Sequence, residues 1–474
     1  MSANTSGGIS QCSGPDDLLL TETVLAKTLD RHGNTASDRL NQRLLMADGL
    51  LNAMDLITPA ADSRRQRIAI VSLLFNWPST GGGIVHTAEL AQFLSAARYE
   101  VCHFFAVYEP WSIGCVSESL PYNTCGLIFT DDSWNRDAIE ARFREAIRGF
   151  SPDATIVTDS WNSKAILARA VSEFPYYIRL AAMECLCPLN NVRLLVDGGG
   201  RIRQCRKSQL STRDACLNCV EQNARSSGAL HADERQLAGF AEPEFGAELQ
   251  NVFANAAGIL VVNPLIGALC EPYARDVYVI PSGFDRKRFE NLPDRCGPRL
   301  KTRILFAGLI SEFMKGFHVI FEACAELWVE RQDFELVATA DAVGPSAPFL
   351  SFAGWKSQED LPGLMAECDL VVVPTVAQEA LGRTAVEAMG ASKPVVASRI
   401  GGLPFTVVEG VTGLLFEPGN AQELCLCLNR LLDDPRLAES LGRNGRERFL
   451  AFHTWDQILE SHYKPLFTAL RSVQ

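Results

Sequence analysis

The chain has no surplus of positive charge. Its 44 lysines and arginines are outnumbered by 56 aspartates and glutamates, for a net charge of −12. That balance argues against general binding to nucleic acid or to an anionic membrane. It still permits local basic sites around a small phosphorylated ligand. Long apolar runs are also missing. None reaches the roughly 20 residues that span a bilayer, so no transmembrane segment is expected. The stretch Met1–Pro15 lacks the basic start and apolar core of a secretory leader. A cytoplasmic protein is therefore expected. Its 15 cysteines are expected to be mostly reduced thiols, many of them acting as small core residues in apolar runs.

What is present is ordinary globular composition, 47% hydrophobic and 21% charged, in a chain of 474 residues, long enough for two or three domains. Residues 1–65 stand apart. Apolar residues recur at helical spacing over Asp16–Leu29 and Ser37–Leu56, which predicts an N-terminal helical extension. Self-association into a homo-oligomer or contact with a substrate are the roles open to it. From Arg67 the pattern alternates between short apolar runs and helical stretches. Strands are predicted at Arg67–Ser72, Val101–Val107, Thr155–Thr158, Tyr176–Leu180, Ile259–Val262 and Val277–Pro281, with a helix over Arg136–Phe150. A polar segment containing Pro293, Gly297 and Pro298 marks a boundary. A second series follows, with strands at Arg303–Gly308, Phe334–Ala338, Leu350–Phe352, Leu370–Val373 and Pro394–Ala397. Gly413–Pro418 reads as a compact turn, and Gln457–Leu470 as the last helix. This is an α/β chain of two Rossmann-like domains, residues 66–290 and 291–454, facing a central crevice. The last helix, 455–474, is expected to pack back on the first of them.

The most informative stretch is Glu379-Ala-Leu-Gly-Arg-Thr-Ala-Val-Glu387. It follows the buried strand Leu370–Val373 and runs into a helix. A strand, a small-residue turn and a helix start make an anion site, because free N–H groups and the positive dipole end point beyond the strand. Lys315-Gly316, in the loop after Gly308, can bring an ammonium to phosphate oxygens. Singly, Glu387 also reads as a surface helix carboxylate and Lys315 as a solvated loop lysine.

The ordered set is more telling. Gly308, Lys315-Gly316, Phe352-Ala-Gly354, Pro374, Glu379 with Glu387, Ala388-Met389, Lys393-Pro-Val-Val-Ala397, Gly401-Gly402 and Gly413 together resemble the nucleotide-sugar half of the family-4 retaining glycosyltransferases of GT-B fold. Gly81-Gly82-Gly83, Pro152-Asp153 and Ile280-Pro-Ser-Gly-Phe-Asp285 extend the resemblance more loosely over residues 67–474. It implies a nucleoside-diphosphate-sugar donor and a small-molecule, glycan or lipid-linked acceptor, with no cofactor for catalysis. Glu379 would meet the transferred sugar and Lys315 would neutralise the leaving phosphate. The Gly382 and Arg383 backbone N–H groups, with Thr384, would hold the diphosphate. Gly308 and Leu381 would belong to the donor site, with Gly82 and Gly83 near the phosphates, and Glu387 would accept from the ribose hydroxyls. The Arg383 side chain could point to solvent while its backbone acts. Cations and N–H dipoles fixed in advance are what a departing diphosphate needs.

Two features depart from the family's pattern, and a third is unusual but resembles an insertion that some members carry. Leu309 stands where an arginine is frequent, and the histidines expected near Thr158 and Ala181 are absent. Asp159, Asn162 and Glu184 are the polar residues left to face the acceptor, or else they are capping and turn residues. A degenerate partner subunit, or a GT-B phosphorylase or epimerase, are the alternative functions. Finally, a Cys-rich insertion at 185–220 holds Cys187, Cys205, Cys216 and Cys219, the last pair with a two-residue gap. Four thiolates would close a tetrahedral structural zinc site; free thiols or two disulfides are the other readings.

Overall fold

The structure, a computed structural model, describes residues 64–79, 81–196, 202–293, 300–341 and 346–471. The chain divides between Arg64 and Arg65, and both sheets lie in the second unit. The helices expected at Asp16–Leu29 and Ser37–Leu56 lie outside the described residues.

The first sheet opens with β1 (Arg67–Ser72), buried from Ile68 onward. An apolar strand without alternation must be covered on both faces, which is the parallel-sheet solution. It is followed by β2 (Glu100–Val107), β3 (Asn123–Ile128), β4 (Ala154–Thr158) and β5 (Tyr176–Leu180). The chain then leaves the sheet for an antiparallel hairpin, β6 (Leu194–Val196) and β7 (Ile202–Gln204), and returns with β8 (Gly258–Val261) and β9 (Val277–Val279). The order is β3-β2-β1-β4-β5-β8-β9, with every pair parallel.

The second sheet holds β10 (Thr302–Phe306), β11 (Phe334–Ala338), β12 (Leu350–Phe352), β13 (Leu370–Val373), β14 (Val395–Ser398) and β15 (Gly413–Phe416). Its order is β12-β11-β10-β13-β14-β15, again all parallel. In each sheet the strand order reverses beside the first strand, between β1 and β4 and between β10 and β13. Connections leave in opposite directions there, and the crevice outside the strand ends is where such sheets take ligands.

Helix starts follow from the sequence where a capping side chain is present. Asn135 Oδ1 accepts from Ala138 N at 3.0 Å and starts Arg136–Phe150, and Asn263 does the same for Pro264–Cys270. After the helix Pro435–Phe452 the chain crosses to the first sheet. Trp455, 1% exposed, joins Ile68, Ile70, Leu90 and Phe467 in one core cluster. Gly283 lies against its ring, where a Cβ would come within 2.3 Å.

Three expectations need correction. β3 was not anticipated; Asn-Thr-Cys-Gly-Leu-Ile is a mostly exposed edge strand and carries no apolar run. Gly413–Phe416 is a fully buried strand and not only a turn, because β14 offers it a partner that local sequence cannot reveal. The last helix is not continuous α-helix: Trp455–Ile458 passes through a π-helical stretch, Leu459–Tyr463, into Lys464–Arg471.

Candidate functional site

The site is built on the strand reversal of the second sheet. After β10 the chain makes a short helical turn, Phe313–Lys315, closed by Gly316 at φ 76°. After β13 it enters the loop Thr375–Gly382. The two loops are laced together: Thr375 Oγ1 donates to Met314 O at 2.8 Å and Val376 N to the same carbonyl at 2.9 Å. Lys315 Nζ thereby reaches Glu379 Oε1 at 2.7 Å, across 64 positions of sequence. The carboxylate raises the Lys315 pKa against the opposing effect of burial, so the ammonium is charged at any pH near neutral. Gly308 lies alongside, its N–H donated to Thr339 Oγ1 at 3.1 Å.

Glu379 is fixed through its backbone. Gly402 N donates to Glu379 O at 2.7 Å. Side chains at Gly401 and Gly402 would come within 2.3 Å of Glu379 O and 1.9 Å of Ala380 O, so both glycines are needed for this approach. Leu381 is buried, and its carbonyl accepts from Thr406 Oγ1 at 2.7 Å. Gly382, at φ 77°, then opens the helix Arg383–Gly390. Ala385 N and Val386 N both return to Gly382 O, so the Arg383 and Thr384 N–H groups precede the first intrahelical bond and face the loop as donors.

Further along this helix, Glu387 is 2% exposed, and burial raises its pKa. Its nearest cation is Arg288, 3.6 Å from Oε1, and that oxygen makes no hydrogen bond. The Arg383 side chain does not run into solvent. It lies over the Phe284 ring at 4.4 Å and faces Glu89 of the first half at 3.6 Å. A Cβ on Gly82 would meet Arg383 Cδ at 2.9 Å, so the glycine turn and the second half touch here. Arg288, Glu89 and Asn263 were not singled out from sequence. Asn263 is visible as an Asn-Pro helix start, but nothing local shows that its Nδ2 also donates to Ala380 O at 2.6 Å.

On the first half, Asp159 follows β4, in the left-handed region at φ 31°. Its Oδ1 lies 3.7 Å from where a Gly83 Cβ would stand, and its Oδ2 accepts from Ser72 Oγ at 3.1 Å. Ser72 is also 2.8 Å from His103 Nε2, and burial lowers that histidine to about 3, keeping it neutral. Burial raises Asp159 to about 6. Asn162 and Glu184 are occupied internally. Asn162 is fully buried and bonded to Gln209 and the Pro188 carbonyl. Glu184 accepts from Ala181 N and lies 2.6 Å from the buried Lys164 ammonium.

The raised Asp159 value has a sign. The folded state prefers the protonated acid, so stability is lost as pH rises from about 4, the usual value, through about 6. Asp159→Asn is expected to be more stable than the parent at pH 7.5, by on the order of 3 kcal/mol, with no advantage left below pH ~4. Urea midpoints at the two pH values measure it. An equal midpoint at pH 7.5 would show the charge to be solvated.

The four insertion cysteines gather at one place. Cys187 packs with Leu189 and Leu195, and Cys205 and Cys219 border the same cluster. Burial raises the thiols of Cys187, Cys216 and Cys219; the neighbouring cysteines add to this, while hydrogen bonds to each of them and, at Cys219, the nearby cations oppose it. Every described cysteine is a free thiol, so no disulfide forms among the described residues. Among those residues, no group of three or more histidine, cysteine or acidic side chains is placed to hold a metal ion. The zinc reading therefore finds no support in this geometry.

Comparison with known proteins places one family match in the second half. The family model for glycosyl transferases group 1 matches residues 348–448. The chain is 33% identical over 193 residues to an MMP alpha-(1->4)-mannosyltransferase of Mycolicibacterium hassiacum, covering 38% of this chain and 46% of that one. It is 33% identical over 196 residues to a 2-deoxystreptamine glucosyltransferase of Streptomyces kanamyceticus, covering 36% and 49%. The chain thus spans about half the length of these curated relatives. Among solved structures, sucrose-phosphate synthase from Thermosynechococcus elongatus superposes with a TM-score of 0.57 at 20% identity, covering 85% of this chain and 100% of that one. HepE of Anabaena, solved with UDP and glucose, gives 0.57 at 16%, covering 85% and 99%. Residues 348–448 are accordingly a glycosyl transferases group 1 domain, carried by a chain with the GT-B fold.

Proposed function

We propose that this chain is a glycosyltransferase that moves a sugar from a nucleoside-diphosphate sugar to an acceptor held by the first half, with retention at the anomeric carbon. The observation that carries it is the Lys315–Glu379 pair, 2.7 Å apart at the strand reversal and next to the helix start at Gly382. An ammonium, two free N–H groups and a helix dipole converge where a diphosphate would gain charge as it leaves. Such preformed groups need no reorganisation during the reaction. Lys315 then exchanges its carboxylate partner for phosphate oxygens, which frees Glu379 to meet the sugar. The Arg383 and Thr384 N–H groups take the diphosphate. Glu387 Oε1, buried and without a hydrogen bond, is an acceptor suited to a ribose hydroxyl. Asp159 is the carboxylate beside Gly83 that would orient the acceptor hydroxyl. Retention assigns Glu379 no nucleophilic role, since same-face attack needs only that the leaving phosphate and the incoming hydroxyl share one side.

The experiment is a screen of UDP-, GDP- and ADP-sugars for release of nucleoside diphosphate, followed by the product's anomeric configuration by NMR. Release from one donor class with an axial or equatorial linkage matching the donor supports the reading. Binding of none of the three nucleotides by calorimetry sinks it.

A further inference from the structure

The Cys-bearing insertion reaches out of the first half and takes hold of the loop that carries Glu379. Gln204, the last residue of β7, donates Nε2 to Val376 O at 2.5 Å. Gln378 donates Nε2 back to Gln204 Oε1 and to Cys205 O, each at 3.2 Å. The hairpin end is itself anchored: Cys205 N donates to Arg193 O at 2.8 Å, and Arg193 Nε returns a bond to Cys205 O at 2.8 Å. On the other flank of Glu379, Asn263 Nδ2 donates to Ala380 O at 2.6 Å. Two elements of the acceptor-side half therefore grip the residues on either side of Glu379. Within its own half, that stretch has the Gly402 bond to Glu379 O, the Met314 lacing and the short bond from Glu379 N to Ala377 O.

We propose that Gln204 and Gln378 are positioning residues for Glu379, and that the insertion is a brace setting the catalytic loop only when the two halves meet. The inference rests on the function proposed above for its kinetic consequence, but not for the brace itself. Amide-paired carbonyls fix backbone direction more narrowly than apolar contact, because each bond weakens steeply with angle. A displaced carboxylate costs rate far more than binding, since reacting groups must meet within a few tenths of an ångström. Glutamine suits the task because the Gln204 amide donates to Val376 O and accepts from Gln378, so the pair joins the Val376 and Cys205 carbonyls without placing a charge beside Lys315.

The test uses the full chain with Gln204→Ala and Gln378→Ala, one variant on each side of the contact. Hydrogen exchange of residues 376–381, without any ligand, is expected to be about tenfold faster or more in both, with β10 and β13 amides unchanged as the sign that folding is intact. Donor turnover should fall about tenfold in kcat, while affinity for whichever of UDP, GDP and ADP the parent binds stays within about twofold. The double variant should lose less than the product of the two single losses, because the variants share the Gln378–Gln204 bond while Gln204 alone holds Val376 O and Gln378 alone holds Cys205 O. Exchange at the parent rate in both variants overturns the inference and leaves the proposed function standing. Faster loop exchange in a chain that turns over no nucleotide sugar keeps the brace and removes the function.

Discussion

Glu379→Ala and Lys315→Ala are each expected to lower sugar transfer by about 10²- to 10³-fold, the usual cost of losing one preorganised contact to a charge that develops in the transition state, about 2.7–4 kcal/mol. The same substitutions should hardly touch stability. The two side chains are 23% and 37% exposed, and an ion pair that solvent reaches contributes only about 0–1 kcal/mol to folding. The comparison of the two magnitudes is the test: rate collapses while the urea midpoint stays. Because the residues answer to one another at 2.7 Å, the double variant should fall well short of the product of the single losses. Initial rates of nucleoside diphosphate release measure all three. Full activity in both single variants would end the assignment of this site.

Gly316→Ala is expected to be the most damaging small substitution at the site, for reasons of backbone and not of chemistry. Gly316 sits at φ 76°, where any Cβ is strained, and a Cβ there would stand 1.8 Å from Pro374 O. The obstacle is main chain at the end of β13, so no rotamer change relieves it. Either the Phe313–Lys315 turn or the Pro374–Thr375 segment must move. Strain and displacement together should cost about 4 kcal/mol or more. Movement of either segment breaks the Met314 lacing and carries Lys315 away from Glu379. A lower urea midpoint together with loss of turnover is the expected result. A parent-like midpoint would mean that the turn has another conformation available.

Much of the fold could be read along the chain because parallel strands covered on both faces leave a continuous apolar signature. Tyr176–Leu180, Phe334–Ala338 and Leu370–Val373 are mostly apolar and mostly buried strands found where expected, and the helix Arg136–Phe150 begins at its Asn135 cap. β3 escaped because an edge strand is half solvated and needs no apolar run, and β15 because Gly413 looks like a turn until β14 lies beside it. At the site, residue types and order gave Lys315, Glu379, Gly382 and Glu387, since the glycines and the charged residues stand in a recognisable order. The polar residues of the first half were less legible. Asp159, Asn162 and Glu184 look alike as polar residues near strand ends. Only packing separates Asp159, next to Gly83 at the crevice, from Asn162 and Glu184, which are spent on Pro188, Gln209, Ala181 and Lys164.

The sequence by itself determined the architecture and the order of the candidate site residues: two parallel α/β units, a helix start after Gly382, and a lysine and two glutamates in order. The architecture follows from local rules, the apolar period and the glycine that accepts positive φ without strain, and the order from the motif resemblance. Tertiary structure alone decided the distances. It set Lys315 against Glu379 across 64 positions, turned Arg383 back over Phe284, and laid Gln204 and Asn263 on either flank of the loop that carries Glu379. Such contacts join residues far apart in the chain, and their energy depends on ångström-scale placement that no local pattern of residue types encodes.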